Sequence, residues 1–146
     1  MRKLVAAALC GLLSFFVPAA MAEGSCPVTD KEYLHQITSA ADWMDVHAVF
    51  KRNFPGCSDE GLYADGYTNM VVGVLASNWR DVELLADMSG KDAAFREFVL
   101  RHIGASASAD DLRKALHSSE SECPATARQL CAAIAQRCKE ALAVKR

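Results

Sequence analysis

The feature that most limits how this chain can fold is a stretch near its middle, Ser58–Trp79, SDEGLYADGYTNMVVGVLASNW. Its centre, Met70–Ala76, is seven residues without one polar side chain. A segment that is apolar all round has to be buried on more than one side, so the rest of the chain must cover it. A run this short fits a buried strand as well as a buried helix. The flanks decide for helix. Ser58 can serve as an N-cap, and Asp59 and Glu60 then place negative charge in the first turn, where the helix dipole favours it. Tyr63, Tyr67, Met70, Val71 and Val74 recur at three- and four-residue steps, and no proline interrupts the span. Against helix stand Gly61, Gly66 and Gly73, each about 0.8–1.0 kcal/mol worse than alanine in a helix interior. Gly66 and Gly73 lie seven apart on nearly one face, flat enough to admit a neighbouring helix at close range. The functional alternative for that face is the floor of a groove for a ligand or a partner peptide.

The rest of the chain reads as shorter amphipathic helices. Thr29 or Asp30 can cap one through Ile37, with Leu34, Ile37 and Ala41 as its apolar stripe. Asp42 can cap or restart it through Phe50, with Trp43, Val46, Val49 and Phe50 apolar. Phe54–Cys57 is a turn. Asn78–Asp81 ends or kinks the central helix. A short helix follows over Asp81–Met88, closed by Ser89-Gly90, and another runs from an Asp92 cap to Gly104. Ser108 with Asp111 resembles a capping box before a helix over Asp110–His117. Ser118–Glu122 reads as a solvated acidic loop. Pro124 suits the first turn of a last helix whose face carries Ala127, Leu130, Cys131, Ile134, Cys138 and Leu142. Period-two alternation and hairpin dipeptides are missing. The expected fold is all-α: a compact orthogonal bundle of about six helices around a buried central helix, braced by disulfides.

Met1–Ala22 has the layout of a secretory signal peptide: Arg2 and Lys3, an apolar Leu4–Val17, Pro18, and an Ala20-Met21-Ala22 cleavage site. The apolar run is shorter than the ~18–20 residues of a spanning helix. Cleavage leaves Glu23–Arg146, 124 of the 146 residues, which suits one domain able to bury a core. Loss of Arg2 and Lys3 takes the formal charge from −2 to −4. Without a basic stripe or a polybasic amphipathic helix, the mature chain is not expected to bind nucleic acid or a membrane. The expected location is the periplasm or the extracellular space.

Of six cysteines, Cys10 lies in the leader, leaving Cys26, Cys57, Cys123, Cys131 and Cys138. An exported chain meets an oxidising compartment, so disulfides are the default. Cys131 and Cys138 stand about 10 Å apart along one helix, too far to bridge. Cys123 can reach Cys131 only if the chain around Pro124–Ala127 folds back before the helix begins. The favoured scheme is Cys26–Cys57 and Cys123–Cys131, with Cys138 free or available for an intermolecular bridge. A scheme tying Cys26 or Cys57 to the C-terminal helix is equally legal. Spacings for a redox pair, a haem or a zinc knuckle are missing.

The search for chemistry yields little. There is no G-x-S-x-G, and no two of His35, His47, His102 and His117 stand three or four residues apart. We expect no catalytic residues, no metal and no cofactor. His102 falls on an apolar face, where a core or rim role outweighs a ligand role. Acidic and aromatic residues gather at and beside the central helix, and Asp59, Glu60, Tyr63, Tyr67 and Trp79 are the candidates for a contact surface. The function expected from class alone is an exported helical protein that binds another protein, of inhibitor or immunity type or as an accessory subunit. The alternative is a small-ligand carrier, or an enzyme, with a pocket at the central helix. The odd cysteine leaves a homodimer open.

Overall fold

Caps set four of the helix starts. In the computed structural model, which describes residues 26–54 and 56–145, Thr29 and Glu32 exchange hydrogen bonds in a complete capping box. This opens α1, Asp30–Ser39. The Asp42 carboxylate accepts from the Asp45 N–H at 2.9 Å and opens α2, Trp43–Asn53. Asp92 accepts from the Phe95 N–H at 3.0 Å and opens α5, Ala93–Arg101. Ser108 accepts from the Asp111 N–H and opens α6, Ala109–Ser121. A cap of this kind is worth about 1 kcal/mol. Between these lie α3, Gly61–Ser77, and α4, Val82–Lys91; the last helix is α7, Arg128–Val144. The expected leader Met1–Ala22 lies outside the described residues, as do Pro55 and Arg146.

The described residues form seven α-helices and no strand, so the all-α expectation holds with one helix more than anticipated. The extra one is the restart at Asp42, a true break between α1 and α2. Helix α3 is the centre. Val71 and Val72 are fully buried, and Tyr67, Met70, Val74 and Leu75 are nearly so. Helices α1, α2 and α6 pack on α3, α7 pairs with α6, and α5 touches α2, α4 and α7. Each buried Val, Leu or Met contributes roughly 1.5–3 kcal/mol. Aromatic rings knit α2, α3 and α5: the Phe98 ring lies 5.2 Å from Phe50 and 5.3 Å from Tyr67.

Several boundaries differ from expectation, each for a local reason. Ser58 does not cap α3. The helix starts at Gly61, whose φ of +55° lets the chain turn out of the extended Glu60. Asp59 therefore lies outside the first turn. Ser89-Gly90 does not end α4, which runs to Lys91; Asp92 both closes it, through its N–H to the Met88 carbonyl, and caps α5. Ser118–Ser121 is helical, not loop. Ser119 is buried, and Lys139 on α7 holds Glu120 at 2.7 Å. Pro124 precedes a 3-10 turn, Ala125–Ala127, and α7 begins only after it.

That turn is the fold-back the short disulfide needs. Cys123 bridges Cys131, and Cys26 bridges Cys57. The second bridge ties the lead-in of α1 to the loop before α3, across a separation of 31 residues. Cys138 is free but wholly buried. An intermolecular bridge through it is therefore excluded while the bundle is closed. Burial also pushes its thiol up to about 12, so little thiolate exists near neutral pH.

The two glycines of the central helix behave differently. A Cβ at Gly66 would collide with the Tyr33 hydroxyl and stand 2.6 Å from Ile37 Cδ1. At Gly73 a Cβ would meet nothing within 4 Å. The expectation of a close helix neighbour thus holds at Gly66 and fails at Gly73, where no neighbouring atom comes that near.

Gly73→Ala is expected to raise stability by about 0.5–1 kcal/mol, the helix-propensity difference. Gly66→Ala is expected to lower it by about 1–3 kcal/mol through overpacking. Urea unfolding of both variants checks this; equal shifts of one sign would contradict the packing described. Cys138 is expected to resist iodoacetamide in the native protein and to take one label per chain in urea with the disulfides intact, read by intact mass.

Candidate binding groove

Helices α1 and α3 meet over Gly66 and line a groove of about 430 Å³. From α1 come Asp30, Tyr33, Leu34 and Ile37; from α3 come Leu62, Tyr63, Asp65, Gly66 and Asn69. On α1 the four are spaced i, i+3, i+4, i+7. On α3, Leu62, Asp65, Gly66 and Asn69 have the same spacing. Each helix therefore turns one whole stripe toward the groove. Gly66 gives the groove its depth, since a side chain there would fill the contact with α1.

Polar groups lock the two walls. The Tyr33 hydroxyl donates to the Tyr63 carbonyl at 2.5 Å, and the Tyr63 hydroxyl donates to Asp30 at 2.5 Å. The two rings lie 4.4 Å apart. Burial pushes the Tyr33 phenol above its ordinary value, and the bond to Asp30 does the same for Tyr63. Both stay protonated donors at neutral pH. The Cys26–Cys57 bridge fixes the same corner covalently.

Two large leucines stand exposed at the rim beside its carboxylates. Leu62 is 86% exposed and Leu34 59%. The expectation that Leu34 belongs to an inward stripe is thus corrected: α1 is short, and only Tyr33 of its residues is buried. Asp65 is exposed beside Leu62, and Glu60 is exposed just before α3. Two other hollows are smaller, 330 Å³ between α4 and α7 and 290 Å³ between α1 and α2.

The five contact candidates are not one surface. Tyr63 lines the groove and Glu60 stands at its α3 end. Tyr67 is 1% exposed and belongs to the core, so it offers no contact surface. Trp79 sits past the far end of α3, a helix of 17 residues and therefore about 25 Å long, and its indole N–H donates to the Glu122 carbonyl. Asp59 turns the other way. Its carboxylate accepts from Arg101 at 2.6 Å and stands 3.0 Å from His102 Nε2.

His102 continues this chain of polar groups, with Nδ1 3.5 Å from the Thr68 hydroxyl. The order acid, imidazole, hydroxyl is that of a proton relay, but His102 is 2% and Thr68 6% exposed. A reacting molecule cannot touch them in the closed bundle. Burial holds His102 below the ordinary histidine value; Asp59 pulls the other way, and Arg101 adds to the lowering. We take the ring as neutral. Its contact with Asp59 is then a polar contact to a neutral ring, not an ion pair, and the Nε2 geometry falls outside a regular hydrogen bond. The cluster pins the loop before α3 to α5, a pairing across 43 residues that no local pattern announces.

Among the described residues no group of three or more His, Cys, Asp or Glu side chains converges as for a metal, and no helix is long and apolar enough to cross a membrane. No protein-family model matches the chain, and no curated protein or solved structure matches it either.

Because folding lowers the His102 pKa, the unfolded chain binds more protons than the native one just below the ordinary histidine value of about 6.5. Stability is therefore expected to rise with pH in that window and to fall as the solution is acidified from pH 7.5 towards 5. Glu32, Asp92 and Glu140, held low chiefly by hydrogen bonds from Thr29, Phe95 and Gln136, stabilise the fold throughout that window and lose their contribution only as the pH falls through and below the ordinary carboxylate range. Urea unfolding across that range with His102→Asn checks the assignment: the slope should flatten in the variant, and an unchanged slope would contradict it.

Proposed function

We propose that this chain is an exported, non-enzymatic protein whose task is to bind another protein, as an inhibitor or immunity-type protein or as an accessory subunit, through the groove between α1 and α3. One observation carries the reading: two large aliphatic side chains, Leu34 and Leu62, stand exposed on either side of a groove whose walls are locked. Exposed leucines flanking a rigid depression are the pattern of an anchor pocket. The two disulfides support export, because such bridges persist in oxidising compartments, the periplasm or outside the cell.

The small-ligand alternative has weaker support. A ligand site brings a few unsatisfied polar groups to one point. Here the two tyrosine hydroxyls facing the groove are satisfied within the protein.

The test is capture from the native exported fraction with the disulfide-bonded chain from Glu23, tagged at its C-terminus. The wild type is expected to retain one stoichiometric protein. The double variant Leu34→Asp, Leu62→Asp should lose it, while Leu84→Asp, on exposed α4 surface, should keep it. Equal capture by all three would overturn the assignment of the groove, and a blank with the wild type would overturn protein binding.

A further inference from the structure

The inference here rests on that reading of the groove and names its occupant. We propose that the groove receives a basic amphipathic helix of the partner protein, about ten residues of it, the length of α1. Its apolar side chains seat between Leu34 and Leu62 over Gly66, and its Lys or Arg side chains meet the carboxylates of the rim.

Charge complementarity carries the choice. Asp30 and Asp65 line the groove, Glu60 stands just before the first residue of α3, and no Lys or Arg lines the groove. Among the described residues neither Asp65 nor Glu60 is in an ion pair. Lys31 neighbours Asp30 in sequence but does not line the groove. Exposed carboxylates beside uncovered leucines repel an acidic partner and favour a basic one.

The walls decide for a helix. Both are helices, so their backbone groups are engaged within them and offer no sheet edge to an extended segment. What remains is recognition by side chains in an interhelical groove, which suits an apolar stripe at i, i+3, i+4. A second copy of this chain is a poor occupant. Its Arg137 and Lys139 lie on α7, whose apolar face is already buried against α6.

The test is titration of the nitrogen-15-labelled, disulfide-bonded chain from Glu23 with two synthetic helical peptides of about 14 residues. One is built of Leu and Lys, the other of Leu and Glu with the leucines at the same positions. The Leu/Lys peptide is expected to shift the amides of Leu34, Leu62, Gly66 and Asn69 saturably, and the Leu/Glu peptide to leave them unmoved. The double variant Glu60→Gln, Asp65→Asn should bind the Leu/Lys peptide about fivefold more weakly, and added salt should weaken the wild type similarly. Equal binding of both peptides would overturn the basic occupant and leave the groove as an apolar docking site. Failure of both to move the groove amides would overturn the occupant and count against the groove reading too. Groove shifts that grow with protein concentration alone would assign it to a second copy and overturn the proposal.

Discussion

The contact of α1 with α3 over Gly66 is the constraint on which the rest of the structure turns. Only a residue without a side chain lets Tyr33 and Ile37 approach the helix so closely. Once there, Tyr33 reaches the Tyr63 carbonyl, Tyr63 reaches Asp30, and the Cys26–Cys57 bridge closes beside them. The central helix gains cover on this side at the cost of a glycine in its interior, about 0.8–1.0 kcal/mol. The apolar run after Tyr67 is covered differently, by α2 and α6 and by the aromatic rings of α2 and α5.

The same contact explains why a groove exists. Tyr33 and Ile37 seat against α3 at Gly66, and the outward stripes of the two helices form the sides of a trough. Here that trough carries leucines and carboxylates in place of the mixed polar surface of a resting helix. Away from the groove, burial holds His102 below its ordinary value, and Asp59 pairs with Arg101. The Asp59–His102–Thr68 cluster is thus shut inside, while the groove presents leucines and carboxylates to solvent.

Much of the fold was legible in the sequence. Thr29, Asp42, Asp92 and Ser108 announce helix starts because a short polar side chain before an apolar-periodic run has few other uses. Helix rise excluded a Cys131–Cys138 bridge, but it left two schemes legal, and the fold shows the favoured one, Cys26–Cys57 with Cys123–Cys131. Other features were not legible. Periodicity shows which face of a helix is apolar but not whether a neighbour covers it, so Leu34 and Tyr67 read alike although one is exposed and the other buried. Gly66 and Gly73 share a face, yet only the tertiary structure shows that Gly66 is packed and Gly73 is not. Asp59 reads as a helix-start charge until the fold brings Arg101 and His102 to it. The groove combines residues from two helices some 30 positions apart, and only the tertiary structure brings Leu34 to Leu62.

The most direct measurement is site-specific photo-crosslinking in the native exported fraction, with a benzophenone amino acid placed at position 62 or, separately, at position 84. The account predicts one discrete adduct from position 62, mapped by mass spectrometry to a basic amphipathic segment of the captured protein, and none from position 84. Identical adducts from both positions, or none from position 62, would contradict it.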